Sequence, residues 1–160
     1  MLTAAFTTLG CKVNQYETRR IAESFERCGF RVVPFDEAAS VYVVNTCSVT
    51  AVASSKSRQM LRRAKRTNPA AKVVVTGCEA EAAQRVGTLI PEADLVVRNP
   101  EKLDTLEHVL RAFPDWEKRL APPRGETLRT RAERRARAVV KVQDGCNVFC
   151  TYCSIPYTRP

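Results

Sequence analysis

Histidine is nearly absent from this sequence of 160 residues: there is one, beside one Trp, two Met and six Gly. A single histidine excludes zinc centres built on several imidazoles and leaves little for a Ser–His–Asp arrangement. No apolar run reaches the ~18 residues of a membrane-spanning helix, so no membrane association is expected. Met1 runs straight into Leu2-Thr3-Ala4-Ala5-Phe6, without the basic start and long apolar stretch of a secretory signal, and the expected compartment is the cytoplasm. Acidic residues are also scarce, 17 Asp+Glu against 26 Lys+Arg, a net charge of +9. Cysteine, by contrast, is plentiful at seven. In a reducing compartment that number argues for metal or redox chemistry rather than a disulfide framework, and its oddness agrees. At 44% hydrophobic residues the chain can bury a core, and its length suits one domain plus a tail.

The positive charge is concentrated. Residues 1–115 hold 16 basic and 13 acidic side chains, residues 116–141 hold 9 and 3, and the remainder balances. Arg129, Arg131, Arg134, Arg135 and Arg137 form the densest stretch and are candidate RNA contacts, since phosphates are the natural partner of such a stripe. Lys56, Arg58, Arg62, Arg63, Lys65 and Arg66 make a second stretch with no acidic residue between Thr50 and Asn68. The plain alternative is a solvated helix face and a solubilising linker.

Up to Phe113, strand and helix patterns alternate. Thr3 to Thr8 is short and β-prone. Asn14 with Glu17 three positions on resembles a capping box for a helix from about Gln15 to Arg27, with Tyr16, Ile21 or Ala22, and Phe25 facing a core. Gly29 ends that helix. Phe30 to Val33 reads as an edge strand. Val41-Tyr42-Val43-Val44 and Val73-Val74-Val75 are continuous apolar runs, as strands buried on both faces require. Helices are expected over about 52–67 and 80–86, a further strand at 95–97, and a last helix capped by Asn99-Pro100 and running to about Ala112. After Phe113 prolines break the pattern until Ala138-Val139-Val140-Lys141-Val142, which reads as one new strand. Such alternation implies a mainly parallel sheet.

Cys11, Cys47 and Cys78 each fall just past a predicted strand, where open α/β sheets form their sites. Soft thiolates without His or carboxylate partners favour an iron–sulfur cluster, although a free Cys is most often a small buried hydrophobe. Cys28, at the end of the first helix, is assigned to packing. Cys146, Cys150 and Cys153 are spaced four and three apart. Three thiolates can hold three irons of a four-iron cluster and leave the fourth open for a substrate or cofactor. Zinc is the rival, but a structural zinc site wants four ligands and there is one C-x-x-C pair here with no His near it.

Cys146-x-x-x-Cys150-x-x-Cys153, with Tyr152 directly before the last Cys, resembles the motif of the radical S-adenosylmethionine enzymes. The amino-terminal part, with Cys11, Cys47 and Cys78, resembles the methylthiotransferase family. Thr8-Leu9-Gly10-Cys11-Lys12-Val13-Asn14-Gln15-Tyr16-Glu17-Thr18 looks most like the branch acting on threonylcarbamoyladenosine in tRNA. Gln143-Asp144-Gly145-Cys146-Asn147 and Ser154-Ile155-Pro156-Tyr157-Thr158-Arg159 agree with it. The resemblance covers nearly the whole chain and implies two 4Fe-4S clusters and S-adenosyl-L-methionine as cofactors. Cys146, Cys150 and Cys153 would hold the cluster that binds S-adenosylmethionine, with Tyr152 near the adenine; Cys11, Cys47 and Cys78 would hold an auxiliary cluster. The product would be a methylthio group on carbon 2 of threonylcarbamoyladenosine at adenosine 37 of tRNA. The implied partners are tRNA and an electron donor protein. Glu79 and Glu81, and Arg98 where Gly is common, depart from the family pattern.

The expectation is therefore an α/β fold. Residues 1–113 form an amino-terminal methylthiotransferase domain, an open, mainly parallel sheet of about five strands flanked by helices, Rossmann- or flavodoxin-like. A basic linker occupies 114–138. Residues 139–160 carry the first strand and cluster loop of a truncated radical S-adenosylmethionine barrel. Barrels take ~200 residues or more, so a missing carboxy-terminal portion or partner chain is expected. The competing readings are a non-catalytic iron–sulfur or RNA-binding module, a zinc-stabilised nucleic-acid-binding domain, and a sister methylthiotransferase branch acting on isopentenyladenosine in tRNA or on a ribosomal protein.

Overall fold

A computed structural model describes residues 1–120 and 139–159. Five strands, β1 (Thr3–Thr8), β2 (Arg31–Val33), β3 (Val41–Thr46), β4 (Lys72–Gly77) and β5 (Leu95–Val96), form one sheet in the order β2-β1-β3-β4-β5. Every pairing is parallel. The helices are α1 (Lys12–Arg27), α2 (Ala51–Thr67), α3 (Cys78–Arg85), α4 (Thr105–Ala112) and the short α5 (Ile155–Thr158). The open parallel α/β sheet expected from the alternation is thus formed, with five strands.

The continuous apolar runs become the central strands because both of their faces are covered. All six residues of β3 are buried, and so are five of six in β4. On one face Val41, Val43 and Val74 pack with Ile21 and Phe25 of α1 and Val109 of α4. On the other, Tyr42, Val44, Val73 and Val75 pack with Leu61 and Ala64 of α2. Burying each such side chain contributes about 1.5–3 kcal/mol, so the fold's stability is concentrated in β3 and β4. Helix α1 follows β1 on one face, and α2 follows β3 on the other. Between β1 and β3 the winding reverses, which opens a crevice at the carboxyl ends of these strands.

Four expectations are corrected. Helix α1 begins at Lys12, with Cys11 as its N-cap, so Asn14 is not a cap. Gly10 (φ 94°) turns the chain directly from strand to helix, and Asn14, fully buried, donates to the Leu9 and Thr46 carbonyls instead. Asn99 does not cap a continuous helix either: a 3-10 helix, Asn99–Asp104, precedes α4, and the Asn99 amide is drawn inward. The pattern does not fail at Phe113, because Pro114–Arg119 form another 3-10 helix and Trp116 stacks near Phe113 and Phe30, at centroid distances of 5.0 and 6.1 Å. The strand expected at 138–142 is not formed in 139–142. Backbone groups of a strand need a ladder partner, and among the described residues none runs beside it; Val140 and Val142 are exposed. Arg129, Arg131, Arg134, Arg135 and Arg137 lie outside the described residues.

Candidate metal centres

Three of the seven cysteines share one end of the sheet. Cys11 follows β1, Cys47 directly follows β3 and Cys78 directly follows β4, and these are the three adjacent central strands. Thr46 and Gly77, which precede Cys47 and Cys78, are register partners. Leu9 donates its N–H to the Asn45 carbonyl at 2.9 Å, which brings the Cys11 turn beside the end of β3. A Cβ added to Gly10 would lie 2.8 Å from the Cys47 Sγ, so only glycine permits that approach. Cys11 is exposed while Cys47 and Cys78 are buried. Cys11 caps α1 and Cys78 opens α3, and helix N-termini favour negative charge.

Beneath these sulfurs lies a polar floor. Asn14 bonds the Leu9 and Thr46 carbonyls at 2.8 and 3.0 Å; Asn45 reaches the Asn14 carbonyl and the Thr18 hydroxyl at 3.1 and 3.0 Å. Thr46 donates to the Thr76 carbonyl at 2.6 Å. Asn99 Nδ2 stands 3.8 Å from the Cys78 Sγ and also donates to the Thr158 carbonyl. The Asn45 and Asn99 Oδ1 atoms and the Ser48 and Thr76 hydroxyls are buried without a partner among the described residues. Unpartnered polar atoms are costly, and their collection at this one edge marks it as built around something polar. The cysteine donor set, the Gly10 cradle and the orphaned Ser48 and Thr76 hydroxyls, which can donate to sulfur, fit a thiolate-ligated cluster.

The second cysteine group lies on the loop between Gly145 and α5. Cys150 is exposed, and Cys146 and Cys153 are half-buried. Cys153 donates its N–H to the Cys150 carbonyl at 3.0 Å, closing a turn, and Phe149 (φ 54°) packs edge-on to Tyr157 at 5.7 Å. Tyr152 is 92% exposed. Cys28 packs against the α1-side core, and burial followed by the charge of Glu117 pushes its thiol up; this suits the packing role.

The two groups meet through a buried ionic hub that sequence patterns did not show. Glu17, fully buried on α1, pairs with Lys102 at 2.7 Å, Arg159 at 2.9 Å and Lys141 at 2.9 Å. Arg159 also reaches Asn14 and Asp144. Burial alone would raise the Glu17 pKa, but the Arg159 hydrogen bond and then the charge and hydrogen bond of Lys102 outweigh it and hold the carboxyl at about 2. Burial pushes Lys102 down, with Glu17 opposing it. Burial would also lower Arg159, but its bonds to Glu17 dominate and push it up. Both Lys102 and Arg159 lie within Coulombic reach of Cys78. Glu81 is buried, pairs with Arg98 at 2.7 Å and accepts the Asn99 N–H at 3.1 Å, so two of the positions expected to depart from the family pattern compensate one another.

Each cysteine triplet is brought to one region but not closed: among the described residues no three Cys, His, Asp or Glu side chains lie close enough to hold a metal ion. Of the basic residues on α2, Arg62 and Lys65 are committed to Glu92 and Asp94 at 2.9 and 2.5 Å. Lys56, Arg58, Arg63 and Arg66 are exposed and make no ion pair among the described residues. No helix is long and apolar enough to cross a membrane among the described residues.

Comparison with known proteins agrees with the resemblance read from the cysteine motifs, in family and in branch. The chain is 40% identical over 99% of its length to a threonylcarbamoyladenosine tRNA methylthiotransferase of Aquifex aeolicus, and 39% identical over 99% to one of Bacillus subtilis. It is 33% identical over 95% of its length to a tRNA-2-methylthio-N(6)-dimethylallyladenosine synthase of Jannaschia. It spans 40%, 37% and 35% of the lengths of these three relatives. Residues 3–98 match a family model described as uncharacterized protein family UPF0004, and with more than half of its length inside that match the chain belongs to this family.

Proposed function

We propose that this chain carries the cluster-binding residues of a radical S-adenosylmethionine tRNA methylthiotransferase, which places a methylthio group on carbon 2 of threonylcarbamoyladenosine at adenosine 37. The observation that carries the reading is the 40% and 39% identity, over 99% of the chain, to relatives bearing that name, against 33% for the dimethylallyladenosine relative. The placement of Cys11 and Cys47 at the switch point of the sheet, with Cys78 at the end of the next strand, supports it.

When bound, two 4Fe-4S clusters and S-adenosylmethionine supply the one-electron and sulfur chemistry that an unreactive aromatic C–H demands. Cys11, Cys47 and Cys78 are the ligands for the auxiliary cluster, and Cys146, Cys150 and Cys153 for the cluster that takes S-adenosylmethionine. Their sulfurs stand apart, as metal ligands do before binding orders them. Lys102 and Arg159, beside Cys78, offset the negative charge of a thiolate-held cluster. Asn99 directs its amide at the same sulfur and fixes its orientation, as outer-shell partners do. Tyr152, exposed in the cluster loop, is the proposed packing partner of the cofactor. Arg129, Arg131, Arg134, Arg135 and Arg137, with the exposed bases of α2, are the proposed tRNA contacts. Residues 139–160 are the proposed start of the radical domain, following a basic linker over 114–138 whose first turn, Pro114–Arg119, packs on the sheet domain. An electron donor protein and tRNA are the partners, and the cytoplasm is the compartment where both are met.

The test is a chimera in which this chain replaces the aligned segment of the Bacillus subtilis relative. It is reconstituted with iron and sulfide, then incubated with reductant, S-adenosylmethionine and tRNA. The expected result is a brown protein and a methylthio nucleoside, detected by mass, on threonylcarbamoyladenosine. Product on isopentenyladenosine instead would move the chain to the sister branch. A colourless, zinc-loaded protein would overturn the reading.

A further inference from the structure

We propose that Glu17 is a positioning residue: its carboxylate clamps the neck of the Cys146–Cys153 loop onto the carboxyl end of the sheet, and so sets one cysteine triplet against the other. The inference rests on the cluster-binding reading for its purpose, but not for its geometry.

The loop has a closed neck. Gly145, at φ 78°, lies so close to Arg159 that an added Cβ would collide with the Arg159 carbonyl oxygen. The incoming and outgoing strands of chain therefore meet at one point, directly before Cys146 and after α5. That point is where the hub sits. The Arg159 guanidinium, 6% exposed, spans Asn14 and both carboxylate oxygens of Glu17 on α1, and Asp144 on the incoming side of the loop. Lys141 joins Glu17 to Asp144 at 2.9 and 2.6 Å. One carboxylate thus ties both sides of the neck to the helix that Cys11 caps.

A second attachment runs in parallel. Asn99 binds the Thr158 carbonyl while standing 3.8 Å from the Cys78 Sγ, so one side chain touches the loop's exit and a ligand of the other triplet. Arg85 of α3 lies over the Tyr157 ring at 5.7 Å. Burying ions is a poor way to gain stability, because well-packed apolar residues of similar volume often serve as well or better. A fork of fixed hydrogen-bond directions does what apolar packing does not: it selects one register. In this chain that register is the relation between the two cysteine groups.

The test uses the cluster-free 160-residue chain and amide hydrogen exchange read by mass spectrometry. Arg159→Ala leaves Glu17 with Lys102 and Lys141, so the sheet stays folded while the exit side of the neck loses its arm of the clamp. Exchange across residues 146–159 should rise about tenfold or more, with β1, β3 and β4 unchanged. Alkylation of half-buried Cys146 and Cys153 should accelerate in parallel. Glu17→Gln should release the same segment, and the double variant should release it by less than the sum of the two single effects. Glu17→Asp, which keeps the charge, should retain more protection than Glu17→Gln, which keeps the shape. Wild-type exchange across 146–159 in Arg159→Ala, additive effects in the double variant, or, in Arg159→Ala, release spread equally over the sheet would each overturn the clamp. Because no cluster is involved, a failed clamp leaves the methylthiotransferase reading standing, and a failed chimera leaves the clamp standing.

Discussion

Replacing Glu17 by Gln removes the charge and keeps the shape, and its cost follows from the hub. Lys102 is 2% exposed and its ion pair is with Glu17 at 2.7 Å. Without that carboxylate Lys102 remains buried with no ion pair among the described residues, and Arg159 retains its ion pair with Asp144 and its hydrogen bond to Asn14. Breaking a buried pair by removing one partner costs about 3–5 kcal/mol. At roughly 2–4 °C per kcal/mol for a chain of this size, the melting temperature should fall by roughly 6–20 °C. The pH dependence probes the same contacts by titration. In the folded chain Glu17 sits at about 2, below its ordinary 4.5. A depressed carboxylate stabilises the fold above its unfolded pKa and loses that contribution as pH falls through the folded one, so the window is pH 4.5 down to 2. The integrated contribution is about 3 kcal/mol, which agrees with the first figure. The assay is urea denaturation of wild type and Glu17→Gln at neutral pH and at steps through that window. The variant should show a lower midpoint with unchanged slope, and the gap between the two proteins should close as pH approaches 2. A variant within about 0.5 kcal/mol of wild type at neutral pH, in the range of ordinary surface substitutions, would refute the reasoning, as would a gap that persists at pH 2.

Substituting Cys11, Cys47 and Cys78 together by Ala should remove about four of about eight irons per reconstituted chain and leave the cluster of Cys146, Cys150 and Cys153; iron and sulfide analysis checks this, and unchanged iron would remove the auxiliary site. Gly145→Ala adds a Cβ that collides with the Arg159 carbonyl at a φ of 78°, so it should cost about 1–3 kcal/mol and speed alkylation of Cys146; an unchanged midpoint and rate would show that the neck is not closed in solution. Neutralising Arg129, Arg131, Arg134, Arg135 and Arg137 should weaken tRNA binding and flatten its salt dependence by about 0.7–0.9 in log–log slope for each phosphate no longer neutralised; an unchanged slope in filter binding across salt concentrations would exclude these residues as phosphate ligands.

The sheet was legible in the sequence because its signals are local. Val41-Tyr42-Val43-Val44 and Val73-Val74-Val75 read as strands covered on both faces, and both are interior strands of the sheet. The cysteine positions past three strand ends were equally readable, since a parallel α/β sheet puts all carboxyl ends on one side. The roles of polar side chains were not readable in this way. Asn14 and Asn99 carry good local capping signals, yet both were claimed by buried backbone carbonyls, Leu9, Thr46 and Thr158, that only the folded chain brings near. Val139 to Val142 had strand composition but, among the described residues, no neighbour to pair with, and composition alone supplies no ladder. Glu81 and Arg98 looked like two separate oddities until the fold placed them 2.7 Å apart. Glu17 and Arg159 lie 142 positions apart, and nothing in the periodicity of either segment points to the other. Apolar pattern and turn chemistry act over a few residues and determined the elements and their order. Which buried charge meets which, and so how the two cysteine groups are held together, depends on the long-range closure of the chain, and only the tertiary structure decided it.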